Sequence, residues 1–368
     1  MHDRAKFNVF VFISTFATAL IEVFIALFLF KNGFSLSSIL WFYLLENAFA
    51  LFISYGLVRI GEKYEYSMVM CIGIAAFIAF QFALNNIVDH GAFLVLISLL
   101  YSLYRRGYWV ARRYYVTDVM PQRNSSGPFS VVVIVSEIAS ITAGFLGGLL
   151  LDGFNVLMLT LLSSVLLFIS VIPLLKIRKR TGNTKIELLK NLKKYDRRNY
   201  LAFSLYEINN LVAFLFPIFI TIYIKDTYLM AGAVNAIGNL AIILFVLFYG
   251  RIIRKRNYFV MSSILFVIVR FAKLLSSSYS ILLLCFLEGF MRKMQEQSVN
   301  KIYFENRNKM DLAHYNLIYQ MIEALARMAV VIPLFFMGDI RIMIAFALVV
   351  ISVEVVIYAC FKKNKEMN

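Results

Sequence analysis

Apolar residues run along this chain in long unbroken stretches rather than at every second or every third to fourth position. These stretches fall at about 7–30, 38–58, 67–86, 92–115, 128–150, 154–175, 200–224, 229–250, 258–275, 279–304, 313–337 and 340–361. A helix needs roughly 20 apolar residues to cross a bilayer, and each stretch qualifies. The pattern predicts an all-α polytopic membrane protein with twelve transmembrane helices. The connections are short except for Lys176 to Asn199, which divides the spans six and six. The expected organisation is therefore a six-helix bundle over 1–175, a cytoplasmic linker over 176–199 and a second six-helix bundle over 200–368. Within the linker, Ile186, Leu188, Leu189 and Leu192 fit one short amphipathic helix lying on the membrane surface. The first stretch is too long for the apolar region of a signal peptide, and no small-residue cleavage site follows it.

Composition agrees and narrows the function. The 368 residues are 61% hydrophobic and 16% charged, where a soluble domain is about a quarter charged. A soluble enzyme, a nucleic-acid module and a disordered chain are excluded. The net charge of +16 is placed on alternate connections. Arg59 and Lys63 follow span 2, Arg112, Arg113 and Arg123 follow span 4, and Arg251, Arg254, Lys255 and Arg256 follow span 8. Lys301, Arg307 and Lys309 follow span 10, and Lys362, Lys363 and Lys365 close the chain. By the positive-inside rule both termini and the linker are cytoplasmic, in a plasma (inner) membrane. Orientation explains the basic excess, so the expected partners are membrane lipids, including anionic headgroups, and not nucleic acid. Cys71, Cys285 and Cys360 lie far apart in apolar runs, which indicates neither a disulfide framework nor a metal site. Walker A, HExxH and GxSG motifs are absent, so no ATP-driven step, no enzyme and no cofactor is expected.

The halves repeat weakly. Tyr55-Gly56-Leu57-Val58-Arg59 at the end of span 2 is answered by Tyr249-Gly250-Arg251-Ile252-Ile253 at the end of span 8. Glu137 in span 5 is answered by Glu323 in span 11. Parallel six-span repeats are a recurrent transporter plan. With internal termini and a cytoplasmic central loop, this topology resembles the major facilitator superfamily over nearly the whole chain. After span 2 the family pattern is G-x-L-a-D-R-x-G-R-R. Arg59, Gly61 and Lys63 match it, and Val58 stands where the Asp should be. In span 5, Gly144, Gly147 and Gly148 match the antiporter pattern G-x-x-x-G-P-x-x-G-G, with Phe145 in place of the Pro. Ser136, Ser140, Gly144 and Gly148 also make a smooth stripe every four residues, which permits close helix approach.

Ionisable side chains at mid-bilayer cost about 2.5–3.5 kcal/mol each on insertion scales. Seven acids (Glu22, Glu46, Glu137, Glu207, Glu288, Glu323, Glu354) and seven bases (Arg105, Arg106, Arg270, Lys273, Arg292, Lys293, Arg327) lie well inside spans, so pairing is the expected state of most. In span 4, Arg105 and Arg106 sit near mid-depth and diverge by about 100° on a helix, so at most one points straight at a central cavity. Glu22, Glu46 and Glu137 are their expected structural partners; contact with solute is the alternative. Trp109 can stack on a guanidinium or an organic ring. Arg112 and Arg113 approach the cytoplasmic surface, where they can snorkel. Glu288 with Arg292, and Glu323 with Arg327, are spaced for intrahelical pairs. Glu46, Arg270 and Glu354 read as structural, and Asn235 and Asn239 as interhelical hydrogen-bonding groups.

The resemblance implies that spans 1, 4, 7 and 10 line a midplane cavity, which raises Glu22, Arg105, Glu207 and Glu288 above the rest. The expected function is secondary transport of a small organic or amphipathic solute by alternating access, outward and coupled to protons, by a monomer. Flipping of a lipid or glycolipid headgroup, or proton-coupled uptake of an anionic solute, are the alternatives. A carboxyl in an apolar site can carry a proton near neutral pH. Glu22 and Arg105 are therefore expected to form a switchable pair, direct or through water.

Overall fold

A computed structural model describes residues 2–86, 90–119, 126–177, 197–248, 258–276, 280–307 and 312–366. Within the first bundle the helices are α1 (His2–Glu22), α2 (Ile25–Lys31), α3 (Leu36–Lys63), α4 (Tyr66–Leu84), α5 (His90–Val119), α6 (Ser126–Gly153) and α7 (Val156–Leu175). The second bundle holds α8 (Arg197–Val212), α9 (Leu215–Tyr223), α10 (Tyr228–Phe248), α11 (Phe259–Leu275), α12 (Ser280–Arg307), α13 (Leu312–Leu334) and α14 (Ile340–Glu366). With α1–α2 and α8–α9 each taken as one span, these make the twelve expected helices. Among the described residues, nine stretches are long and apolar enough to cross a membrane. The three helices that do not qualify, α5, α11 and α12, carry Arg105 and Arg106, Arg270 and Lys273, and Glu288 to Glu296.

The polarity is inside out for a water-soluble protein. Phe52, Leu275 and Phe336 are more than three-quarters exposed, whereas Glu46, Arg106 and Arg270 are buried. Lipid accepts the apolar outer surface, and the bundle interior satisfies the charges. The linker helix at 186–192 and the second motif copy at 249–258 lie outside the described residues, apart from Tyr258.

Two spans are broken where unbroken helices were expected. At Phe24 the backbone N–H donates to Ile21 O (2.9 Å), and at Phe214 to Leu211 O (3.1 Å), a one-turn tightening in each half. Pro217 explains the second break, because it has no N–H for the carbonyl of Ala213. Nothing in the local sequence explains the first, which has neither Gly nor Pro. Phe24 is fully buried and packs edge-on against Tyr228 of α10 (5.9 Å between ring centroids).

Inside the first half α1 packs on α6 and α7, and α5 on α3 and α4. In the second, α10 and α11 pack on α12, and α8 on α13 and α14. The halves meet along α6 against α10, α3 against α13, and α2 against α9. Glycine makes the first of these seams. A Cβ at Gly148 would stand 2.8 Å from the Tyr228 carbonyl oxygen, and one at Gly232 would collide with the Gly144 carbonyl. Beside them, a Cβ at Gly147 would stand 2.6 Å from Leu20 O of α1. The small-residue stripe of span 5 thus brings α6 onto both α1 and α10. Asp152, at the end of α6, accepts from the N–H groups of Tyr228 (3.0 Å) and Leu229 (2.8 Å) and so satisfies the first turn of α10 across the seam. Lys31 pairs with Asp226 (2.7 Å) at the same end.

Gly148→Leu tests this seam. A side chain there meets backbone, which cannot swing aside, and overpacking typically costs about 1–3 kcal/mol. The purified variant is expected to melt several degrees below the parent, while Gly153→Leu, in open space, melts with it. Equal melting of both variants would refute the seam.

Candidate functional site

Helix α5 carries the charge that organises the interior. Its backbone comes close to α4 because a Cβ at Gly73 would stand 2.9 Å from Tyr108 N. Arg105 Nη2 reaches Glu323 Oε1 of α13 at 3.0 Å, and its Nη1 lies 3.5 Å from Glu46 of α3. Arg106 Nη1 reaches Glu323 Oε2 at 2.9 Å and Nη2 lies 3.4 Å from Glu46. Arg106 also donates to Gln320. Arg113 Nη2 stands 3.9 Å from Glu323 and over the Tyr319 ring. Arg327 closes the group, pairing with Glu323 (3.1 Å) and with Glu207 of α8 (2.6 Å). Tyr319 donates to the other Glu207 oxygen at 2.6 Å. Four guanidiniums and three carboxylates therefore interlock across α3, α5, α8 and α13. The desolvation cost of such ions is several kcal/mol each, so mutual pairing is obligatory.

Beside this network a cavity of about 590 Å³ lies between the halves. Residues of α1, α5 and α6 line one side and residues of α9, α10 and α12 the other; Arg113 and Tyr319 belong to both cavity and network. Its wall is aromatic at Tyr43, Tyr104, Tyr108, Trp109, Tyr206 and Phe214. The Tyr43 and Phe214 rings stack across the halves at 3.9 Å. Of its charged residues, Glu288 is held by Arg270 Nε (2.7 Å) and by Lys273, and Glu296 by Lys293 (2.8 Å). Glu22 accepts from the hydroxyls of Tyr101 (3.0 Å) and Tyr104 (3.2 Å). Arg112 bonds Ser136 (2.5 Å) and Tyr108 (3.2 Å) and lies 4.9 Å over the Trp109 ring. Among the described residues, neither Arg112 nor Arg292 has a carboxylate within 4.0 Å, and neither Glu22 nor Glu137 has a base within that distance.

The structure sorts the expected site residues. Glu22, Trp109, Glu137, Glu288 and Arg292 line the cavity; Arg105, Arg106 and Glu207 do not. Arg105 is not ion-paired to Glu22, because Glu46 and Glu323 hold its guanidinium; its field alone reaches Glu22. Glu46 proved the right partner for Arg105 and Arg106, and Glu137 the wrong one. Glu288 pairs with α11 instead of Arg292, because Arg270 and Lys273 face it from the neighbouring helix. Glu323 and Arg327 do form the expected intrahelical pair. Arg112 lines the cavity, and Arg113 turns to Glu323 of α13. Asn235 and Asn239 line the cavity. In the loop motif, Arg59 lies 6.0 Å over the Tyr55 ring and Lys63 5.1 Å over Tyr64. Gly61 makes room for Tyr66, whose ring a Cβ would meet at 2.7 Å. Tyr206 and Tyr319 were not singled out in the sequence, and Arg112 and Lys273 were named there without being assigned to the site. The i, i+4, i+8 recurrence of Tyr319, Glu323 and Arg327 was the available signal for Tyr319.

The family model of the Major Facilitator Superfamily matches residues 7–331. No curated protein sequence matches the chain. Among solved structures, the crystal structure of the nucleoside transporter NupG is similar at a TM-score of 0.72 and 14% identity, covering 99% of this chain and 100% of that one. A point mutant of the same transporter gives 0.72 and 14%, over 97% and 99%. At that identity the likeness is one of fold.

Removing the carboxylate at the centre of the network should be severe. Glu323→Gln leaves four guanidiniums short of a partner, and breaking a buried pair typically costs about 3–5 kcal/mol. A large fall in melting temperature is expected, with partial recovery in the double variant Glu323→Gln/Arg106→Gln. With Arg106→Gln measured alone as well, losses that simply add in the double variant would show that the two groups are not coupled.

Proposed function

This chain belongs to the major facilitator superfamily, and from that premise we propose that it exports a small organic solute in exchange for protons by alternating access. It is a transporter in an integral membrane setting; the direction, the coupling ion and the solute are the proposal. The observation that carries it is the cavity between the two halves, walled by both and charged on its surface. Rocking of one half on the other turns such a cavity from one face of the membrane to the other. The α2–α9 end is held together by Lys31–Asp226 and by Asp152 on α10. At the other end the lining extends to Val116 and Asn300. We assign that second end to the cytoplasm, with both termini.

Glu22 is the proposed proton carrier. It faces the cavity, sits next to the break between α1 and α2, and is held by two hydroxyls that can bond either of its protonation states. Arg105 and Glu46 are the charged groups acting on it. The role of Arg105 is to bias Glu22 through space while remaining paired to Glu323. Glu137 is the other cavity carboxylate without a base at hand. Nucleosides enter the substrate panel because of the structural neighbour, beside amphipathic drugs, organic acids and lysolipids.

Two measurements test this. Reporters fused after Lys365 and within 176–199 should both report cytoplasm; a periplasmic signal from either would overturn the assigned orientation. In inside-out vesicles, addition of a transported solute should collapse an imposed proton gradient. Glu22→Gln should make the transport rate independent of pH with the melting temperature retained. An unchanged pH profile would transfer the role to Glu137.

A further inference from the structure

The cavity charges fall into two classes. Lys273 shares Glu288 with Arg270, Lys293 is paired with Glu296, and Arg113 is drawn onto Glu323. Arg112 and Arg292 remain. They come from α5 and α12, one from each half, and both line the cavity. Hydroxyls of Ser136 and Tyr108 and the ring of Trp109 hold the Arg112 guanidinium in place. Both arginines act through space on Glu137, together with Lys293 and Glu296, while standing beyond ion-pair distance of it. Trp109 is more than one-third exposed, with Tyr206 also on the wall.

We propose that this is the binding subsite for an organic anion carrying an aromatic ring, its carboxylate or phosphate held between Arg112 and Arg292 and its ring against Trp109. A guanidinium presents a planar fork that matches a carboxylate or phosphate in two parallel bonds. Two such forks, one from each half, already line the same cavity, so a bound anion is shared between the halves. The ring supplies apolar area and stacks on a surface already polarised by Arg112. Glu137 sets the competition: its carboxylate shares the field of the same cations, so a bound anion is favoured when Glu137 is protonated. This deepens the proposed transport reading and rests on it for the fate of the ligand, not for its binding.

The test is direct binding to the purified full chain, read from intrinsic fluorescence and melting temperature. The probes are 2-naphthoate and its neutral isostere 2-naphthamide, with phenyl phosphate as the soluble phosphate arm and lysophosphatidylglycerol as the lipid arm. Naphthoate is expected to bind at least tenfold more tightly than naphthamide. Arg112→Gln and Arg292→Gln should each weaken it at least tenfold, with little effect on naphthamide. Trp109→Phe should weaken both naphthyl probes. Arginine-dependent binding of lysophosphatidylglycerol alone, with neither aromatic anion bound, would overturn the proposal, because that lipid has no ring to set against Trp109. Equal affinity for the acid and the amide in the unmodified protein would overturn the proposal without any variant having to fold. So would naphthoate binding unaffected by either arginine substitution. Anion binding without movement of any solute would instead overturn the transport reading and leave the subsite standing.

Discussion

The Glu323 carboxylate holds this molecule in register. Arg105 and Arg106 reach it from α5, Arg113 from about two turns further along that helix, and Arg327 from its own helix. In hydrocarbon an uncompensated ion of this kind is not tolerated, so α13 must lie where all four guanidiniums can converge. That requirement seats α13 against α3 and α5, and with it the second half against the first. It also draws Arg105 away from the cavity, although its place on the helix points it that way. The cavity wall is then left to Trp109, Arg112 and the tyrosines of the same helix.

The second seam is built from the opposite material. Along α6 and α10 the approach of backbones is permitted by Gly144, Gly148 and Gly232, with Asp152 satisfying the exposed amides at the start of α10. Lipid supplies little hydrophobic drive between helices, so close packing and satisfied backbone polarity have to supply the association. One seam is thus made by charge and the other by the absence of side chains. The cavity lies between them.

The twelve spans and their grouping six and six were legible because a membrane helix announces itself by length alone, as at 154–175 against α7. The glycine stripe of span 5 was legible for a similar reason, since its four-residue spacing needs no knowledge of partners. Pairing was not. Glu288 and Arg292 have ideal spacing on one helix, yet the ion pair goes to α11, because interhelical distances decide between a local and a distant base. Arg112 was not read as a cavity residue, because a count along a single helix does not reveal that the neighbouring helices leave a cavity at that level. The break at Val23–Phe24 carries no Gly or Pro and arises where Phe24 packs on α10, a tertiary cause invisible in the local sequence.

Such a charged seam looks too strong to open in a protein whose halves must rock, but its composition resolves the difficulty. Each half keeps a partner of its own. If α13 withdrew from α5, Glu323 would retain Arg327 on the same helix, and Arg327 would retain Glu207 on α8. In the first half, Arg105 and Arg106 would retain Glu46 on α3. Six of the seven ions, all but Arg113, would keep a partner in their own half, so for them the cost of separation is the difference between a fully shared network and two smaller ones. Several of the crossing contacts are replaced by intra-half contacts already formed at 3.1 to 3.5 Å. A single buried pair divided between the halves would have to be broken outright, at about 3–5 kcal/mol. Redundant guanidiniums around one carboxylate convert that penalty into an exchange of partners, which is the arrangement a seam needs if it is to be both specific when closed and able to part.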